Sequence, residues 1–221
     1  GLLMHDFYRL YKILRGHFGF LNWWPGETKD EIVIGAILTQ QTSWKNVEKA
    51  ISNLKKYGAL SIEKIAAMRL KRLEELIRPS GFYRQKAARL LEFSKYVTKK
   101  HGSLQLMLKT PLEDLRKELL SLKGIGPETA DSIILYAAEK PIFVIDAYTK
   151  RIANRVFGIG DADYSSLQEL IENSIKKDLE LYKDFHAQFV ELGKNFCKKN
   201  PICESCPANG ICTYYAKNSR R

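Results

Sequence analysis

Four cysteines fall within the final stretch of the chain, Cys197, Cys203, Cys206 and Cys212, spaced C-x5-C-x2-C-x5-C with Pro201, Pro207 and Gly210 between them. Those turn residues can bring the thiolates together, and four thiolates suit one metal centre, either tetrahedral zinc or a [4Fe–4S] cluster. Spacing leaves both open. Two disulfides would need an oxidising compartment, and no export signal is visible, because His5, Asp6, Arg9 and Lys12 interrupt the first residues. A second chemical group is Asp146, which closes the apolar run Pro141–Asp146 and precedes the basic segment Tyr148–Arg155. Aspartate there is a good helix cap. A carboxylate in the same place can also stabilise developing positive charge or activate water. A third is Gly124-Ile125-Gly126, followed by Pro127. Two glycines allow a sharp turn with exposed amides, Pro127 opens a helix where its missing N–H costs nothing, and the resulting helix start suits a phosphate oxygen.

The elements that must position these groups read as helices. Thr28-Lys29-Asp30-Glu31 and Ser166-Leu167-Gln168-Glu169 have the form of capping boxes. Thr110-Pro111-Leu112-Glu113 places proline at a first helical position. Amphipathic runs cover Val47–Tyr57, Lys71–Ile77 and Tyr83–His101. Turn residues at Gly58, Pro79-Ser80-Gly81, Gly102-Ser103 and Gly158–Gly160 punctuate the chain at helix-length intervals. Ile32-Val33-Ile34 has strand propensity, but the preceding cap and the length of its apolar segment favour helix. With no repeat and no alternating strand pattern, the fold class is all-α. The 221 residues suit one large domain or two small ones sharing a core. No apolar run approaches the roughly 20 residues that span a bilayer, so the expectation is a cytoplasmic protein with no membrane partner. Lys and Arg number 36 against 25 acids, a net charge of +11. A hot-environment protein rich in Lys and Glu also looks basic, yet an excess of this size favours a polyanion, whose condensed counterions are released on binding. Charge does not separate DNA from RNA.

The order apolar-x-Gly-apolar-Gly-x-x-Thr-Ala from Leu122 to Ala130, at a junction of two helices, is the helix-hairpin-helix pattern, which holds DNA backbone without reading sequence. With Asp146 about twenty residues on in "VIDAYTKR", nearly the whole chain resembles the helix-hairpin-helix, Gly/Pro-rich, Asp DNA glycosylase superfamily. The four-cysteine tail resembles its endonuclease III branch, and "NWWPG" with "VIDAYTKR" is most similar to the 3-methyladenine glycosylases of that type. The resemblance implies two helical lobes flanking a cleft, with 27–139 as a helical barrel carrying the hairpin. It assigns 1–26 and 140–221 to the second domain, with the catalytic Asp and the cysteine loop. It also moves the metal choice to a [4Fe–4S] cluster on the four cysteines, structural and DNA-positioning, although endonuclease III has one more residue in the first gap.

Further roles come from the same resemblance. Asp146 is the catalytic carboxylate, and Trp24, Trp44 and Pro25 form the base pocket, with Trp23 packed in the core. Gln41 fills the gap left by an extruded nucleotide, and Gln40 is structural. Lys123, Gly124, Ile125, Gly126, Lys150 and Lys198 contact DNA. Bifunctional members carry a lysine two residues after the second hairpin glycine, where this chain has Glu128. A carboxylate forms no imine, so the implied enzyme is a monofunctional glycosylase removing alkylated purines, chiefly 3-methyladenine, from double-stranded DNA, as a monomer at the nucleoid of a prokaryote. Lys123 and Lys150 are the nearest amines that could replace the lost lysine. The alternatives are an endonuclease III-like oxidised-pyrimidine glycosylase with lyase activity, and a non-catalytic DNA-binding module.

Overall fold

The computed structural model describes residues 5–220, so Gly1–Met4 and Arg221 of the expected outer domain lie outside it. Among the described residues the chain is all helix, turn and coil, with no strand. The helices in order are α1 (Phe7–Phe18), α2 (Lys29–Leu38), α3 (Trp44–Tyr57), α4 (Ile62–Ala66), α5 (Leu70–Ile77), α6 (Tyr83–His101), α7 (Leu104–Leu108), α8 (Leu112–Ser121), α9 (Pro127–Ser132), α10 (Ala147–Phe157), α11 (Tyr164–Ser174), α12 (Leu179–Asn195) and α13 (Thr213–Asn218). They form two compact units, Trp24–Lys140 and the joined ends Gly1–Trp23 with Pro141–Arg221.

In the central unit, α6 packs against α4, α5 and α7. Its amphipathic run buries Ala87, Leu90, Phe93 and Val97 at helical spacing, against Ile62, Ile65, Leu73 and Ile77 of the neighbouring helices. Lys86 is buried in the same face, and its ammonium donates to Leu38 O at 2.8 Å and Ser80 O at 2.7 Å. A cation thereby closes the carbonyl end of α2. Thr28 caps α2 by accepting from Glu31 N, while the Glu31 carboxylate reaches back to Glu27 N rather than to Thr28.

In the terminal unit, Phe143, Tyr182, Phe185 and Phe189 form an aromatic core, with Phe185 and Phe189 stacked at 4.5 Å. The apolar residues Ile142–Ile145 are buried but form no strand. Side chains of α11 hold part of their backbone: Glu172 accepts from Phe143 N, Gln168 donates to Phe143 O, and Tyr164 OH accepts from Ile145 N. This anchored segment delivers Asp146 to the start of α10.

Two helix starts differ from expectation. The cap of α11 is Asp163, which accepts from Ser166 N, so Ser166 sits one turn inside the helix. An acidic N-cap three residues upstream of a serine outcompetes it, because Asp caps at least as well and here precedes the first helical residue. In α8, Pro111 itself occupies the cap position and no side chain caps the helix.

Candidate active site

The hairpin joins α8 to α9. Gly124 has φ +82°, and a Cβ there would collide with the Arg89 side chain, so both conformation and space demand glycine. Ile125 is buried and anchors the turn, leaving only its backbone to meet a ligand. Gln40 braces the loop from outside, donating to Gly124 O at 2.8 Å and Thr129 Oγ1 at 3.2 Å. The two helices are locked by Arg116 and the fully buried Asp131, paired through two hydrogen bonds of 2.8 and 3.2 Å. Pro127 and Glu128 open α9 and are exposed. The helix then widens into a π-helical stretch, Ile133–Ala137, whose signature is the i→i−5 bond from Ala138 N to Ile133 O.

A groove of about 960 Å³ opens in the same unit, walled by Trp24, Pro25 and Trp44, with Tyr136 and Glu139 from the end of the π stretch. Trp44 starts α3 behind its cap Ser43. Its ring lies over Gly35 of α2, 3.5 Å from where a Cβ would stand. Trp24 and Trp44 are 47% and 37% exposed, unusual for indoles and fitting for faces that await a flat ligand. Trp23 corrects the expectation of a core residue. It is 40% exposed, belongs to the terminal unit, and sets its ring 5.9 Å from that of His186. Asn22, with φ +46°, turns the chain between these fates.

Asp146 accepts from Thr149 N at 2.8 Å and Thr149 Oγ1 at 2.9 Å through Oδ1, and lies 3.1 Å from His186 Nε2 through Oδ2. Burial alone would push its carboxyl up; the hydrogen bond and charge of His186, then the Thr149 donors, outweigh that and hold it below the ordinary value. The group is therefore a carboxylate across the physiological range. His186 escaped the sequence reading. Its signal was there in α12, a helix in which Lys183, Asp184, His186 and Gln188 are all buried, since buried polar residues are rarely placed without partners. Asp184 accepts from Tyr11 OH and Leu21 N, and Gln188 donates to Gly19 O, so the same row fastens the segment that carries Trp23.

The four cysteines line one small cavity, with Val156, Leu192, Phe196 and Ala208 among its apolar walls. No group of three or more described His, Cys, Asp or Glu residues is set to hold a single metal ion, so the thiols wall a cavity rather than converge on a point. Arg155 of α10 donates to Cys197 Sγ at 3.4 Å and to the carbonyls of Lys198 and Lys199. A thiolate-only donor set, apolar surroundings and a cationic donor to sulfur fit an iron–sulfur cluster. Burial pushes the Cys206 thiol up to about 11, so loading the site must release protons.

The other sequence-selected residues fall as follows. Gln41 is exposed at φ +54° in the turn between α2 and α3. Lys123 is exposed on the hairpin, Lys150 on α10 and Lys198 in the cysteine loop. The sequence reading also passed over Phe82, which holds φ +44° before α6 and is 60% exposed. Strained, exposed non-glycine residues mark places where function fixes the backbone.

Comparison with known proteins gives a consistent family. Residues 34–177 match the model described as HhH-GPD superfamily base excision DNA repair protein. A Methanocaldococcus jannaschii protein with the provisional name of DNA repair glycosylase is 49% identical over 208 residues, 93% of this chain and 94% of its own. Endonuclease III of Thermotoga maritima is 30% identical over 190 residues, 86% and 84% of the two chains. The crystal structure of H. pylori 3-methyladenine DNA glycosylase bound to 1,N6-ethenoadenine superposes with a TM-score of 0.76 at 34% identity, over 86% of this chain and 97% of that one.

Proposed function

Because this chain belongs to the HhH-GPD superfamily of base excision DNA repair proteins and is a DNA glycosylase of it, we propose that it removes N3- and N7-alkylated purines, chiefly 3-methyladenine, by hydrolysis without a covalent enzyme intermediate. The observation that carries this reading is the groove with two half-exposed tryptophans, Trp24 and Trp44. An alkylated purine is cationic, so its glycosidic bond is already weak and its release needs little acid assistance. What it needs is an electron-rich face, and cation–π attraction to tryptophan contributes roughly 0.5–2 kcal/mol. Likeness to the H. pylori enzyme, a 3-methyladenine glycosylase by name, supports the same substrate class.

In this reading the extruded nucleotide leaves the stack, and its base enters between Trp24 and Trp44 with Pro25 beside them. The C1′–N bond breaks with its electron pair leaving on the base. The Asp146 carboxylate opposes the developing oxocarbenium charge, and water adds to C1′ while losing a proton. The hairpin amides around Gly124, Ile125 and Gly126, with Lys123, Lys150 and Lys198, take backbone phosphates. Gln41 and the exposed Phe82 fill or wedge the stack, as apolar side chains do between base steps. Glu128 supplies no amine, so no imine with the sugar forms. Cys197, Cys203, Cys206 and Cys212 hold a [4Fe–4S] cluster that orders the C-terminal loop and takes no part in the reaction.

The second reading, an oxidised-pyrimidine glycosylase with lyase activity, draws on the 30% identity to endonuclease III. One experiment separates the two: methylated duplex and thymine-glycol duplex are incubated in parallel, with borohydride during turnover, and the released bases identified. Free 3-methyladenine with no trapped protein–DNA adduct is expected. Release from thymine glycol alone, or a strong trapped band, would overturn the proposal. Metal analysis should find four irons per chain, and stoichiometric zinc without iron would sink the cluster.

A further inference from the structure

We propose that His186 is a positioning residue for base release, one that aims a single oxygen of Asp146 at the reacting sugar. This rests on the reading of Asp146 as the working carboxylate. Each carboxylate oxygen offers about two acceptor sites. Oδ1 has both filled, by Thr149 N and Thr149 Oγ1 at 2.8 and 2.9 Å. Chemistry is therefore left to Oδ2, whose one described partner is His186 Nε2 at 3.1 Å. The Thr149 pair alone would fix one end of the carboxylate and leave rotation about the Cβ–Cγ bond as a soft coordinate. The third donor, from a different helix, removes that freedom and sets the direction in which the remaining lone pair of Oδ2 points.

The imidazole is itself held. Its side chain is 7% exposed, and the ring of Trp23 stands against it at 5.9 Å and 53°. That tryptophan is carried by a segment tied to α12 through Leu21 N to Asp184 Oδ1 and Gln188 Nε2 to Gly19 O. Alignment of the carboxylate thus depends on a chain of contacts that starts at the N-terminal segment and ends at Oδ2. An aim error of about an ångström at a reacting group can cost on the order of 100-fold in rate, so the contribution is large enough to read kinetically.

Two substitutions separate aim from packing. His186→Phe keeps the ring and its contact with Trp23 but offers no donor; His186→Gln places an amide nitrogen near the position of Nε2 without the ring. We expect the single-turnover rate of base release from methylated duplex to fall about 10- to 100-fold in His186→Phe, with DNA affinity and melting temperature unchanged, and to return near wild type in His186→Gln. A folded His186→Phe at wild-type rate, while Asp146→Asn is inactive, would overturn the role of His186 and leave that of Asp146 standing. Equal loss in both His186 variants would also overturn it, because restoring the donor would have restored nothing. A wild-type rate in Asp146→Asn would instead remove the carboxylate reading on which the proposal rests.

Discussion

Two acids stand at the starts of consecutive helices, Glu128 in the first turn of α9 and Asp146 at the cap of α10. By residue type and by helix position they are near equivalents, and both complement a helix dipole. Their surroundings differ. Glu128 is exposed on the hairpin, whereas Asp146 sits at the end of a buried segment with three donors on its two oxygens. Desolvation makes a charge at Asp146 act over a low-dielectric path, and the donors keep it ionised there. At Glu128 water screens the same charge. A carboxylate becomes a chemical instrument through the company it keeps, and only one of these two has that company.

The comparison breaks most sharply at Asp146. Asp146→Asn preserves a capping side chain but removes the charge, and base release should fall about 100- to 1,000-fold while duplex affinity holds. Single-turnover kinetics and a binding titration measure the two separately. A smaller loss is expected from Thr149→Val, which deletes one donor to Oδ1 and leaves the backbone N–H in place. A hydrogen bond to a charged group is worth about 1.5–3 kcal/mol, so the melting temperature should drop measurably and the rate by roughly tenfold. Glu128→Ala supplies the contrast: only the dipole contribution of about 0.3–1 kcal/mol is at stake. Base release should be unchanged and melting barely shifted; a large rate loss would mean that Glu128 is no bystander.

Acid sharpens the same contrast at lower amplitude. The carboxyl of Asp146 is held below its ordinary value in the folded protein, so its contribution to stability is fully present above the unfolded carboxylate value near 3.9. That contribution is lost as pH falls through the lower folded value. Melting curves of the parent and Asp146→Asn should therefore converge on acidification below about pH 4. Divergence there would reverse the assigned direction of the shift.

How much of this was legible in the sequence follows from range. Tyr83–His101 was readable to the residue because apolar periodicity and flanking Gly81 and Gly102 are local signals. So were the hairpin glycines and the capping role of Asp146. The cap of α11 was misplaced because Asp163 and Ser166 both look like caps, and three-dimensional context chooses between them. The pairing of His186 with Asp146 spans 40 positions, and no local pattern announces such a partner. The adjacent Trp23 and Trp24 were separable in role from each other, but the sequence reading sent Trp23 to the core. In the structure it faces a histidine that the reading had not chosen.

The π-helical stretch at Ile133–Ala137 carries a consequence for how this chain tolerates change in length. A π turn holds one residue more than the α turn it interrupts, and each residue of an α-helix advances the face by about 100°. Everything after the stretch is therefore out of phase with the hairpin end of the same rod by one residue. Deleting a single residue from Ile133–Ala137 would let the rod close into uninterrupted α-helix, gaining regular hydrogen bonds. It would also rotate Glu139 and whatever follows away from their present bearing, while a deletion that spared the stretch would merely shorten the helix. The widened turn works as a phase plate: it lets one helix present a phosphate-facing end and a groove-facing end on bearings that a regular helix of that length does not offer.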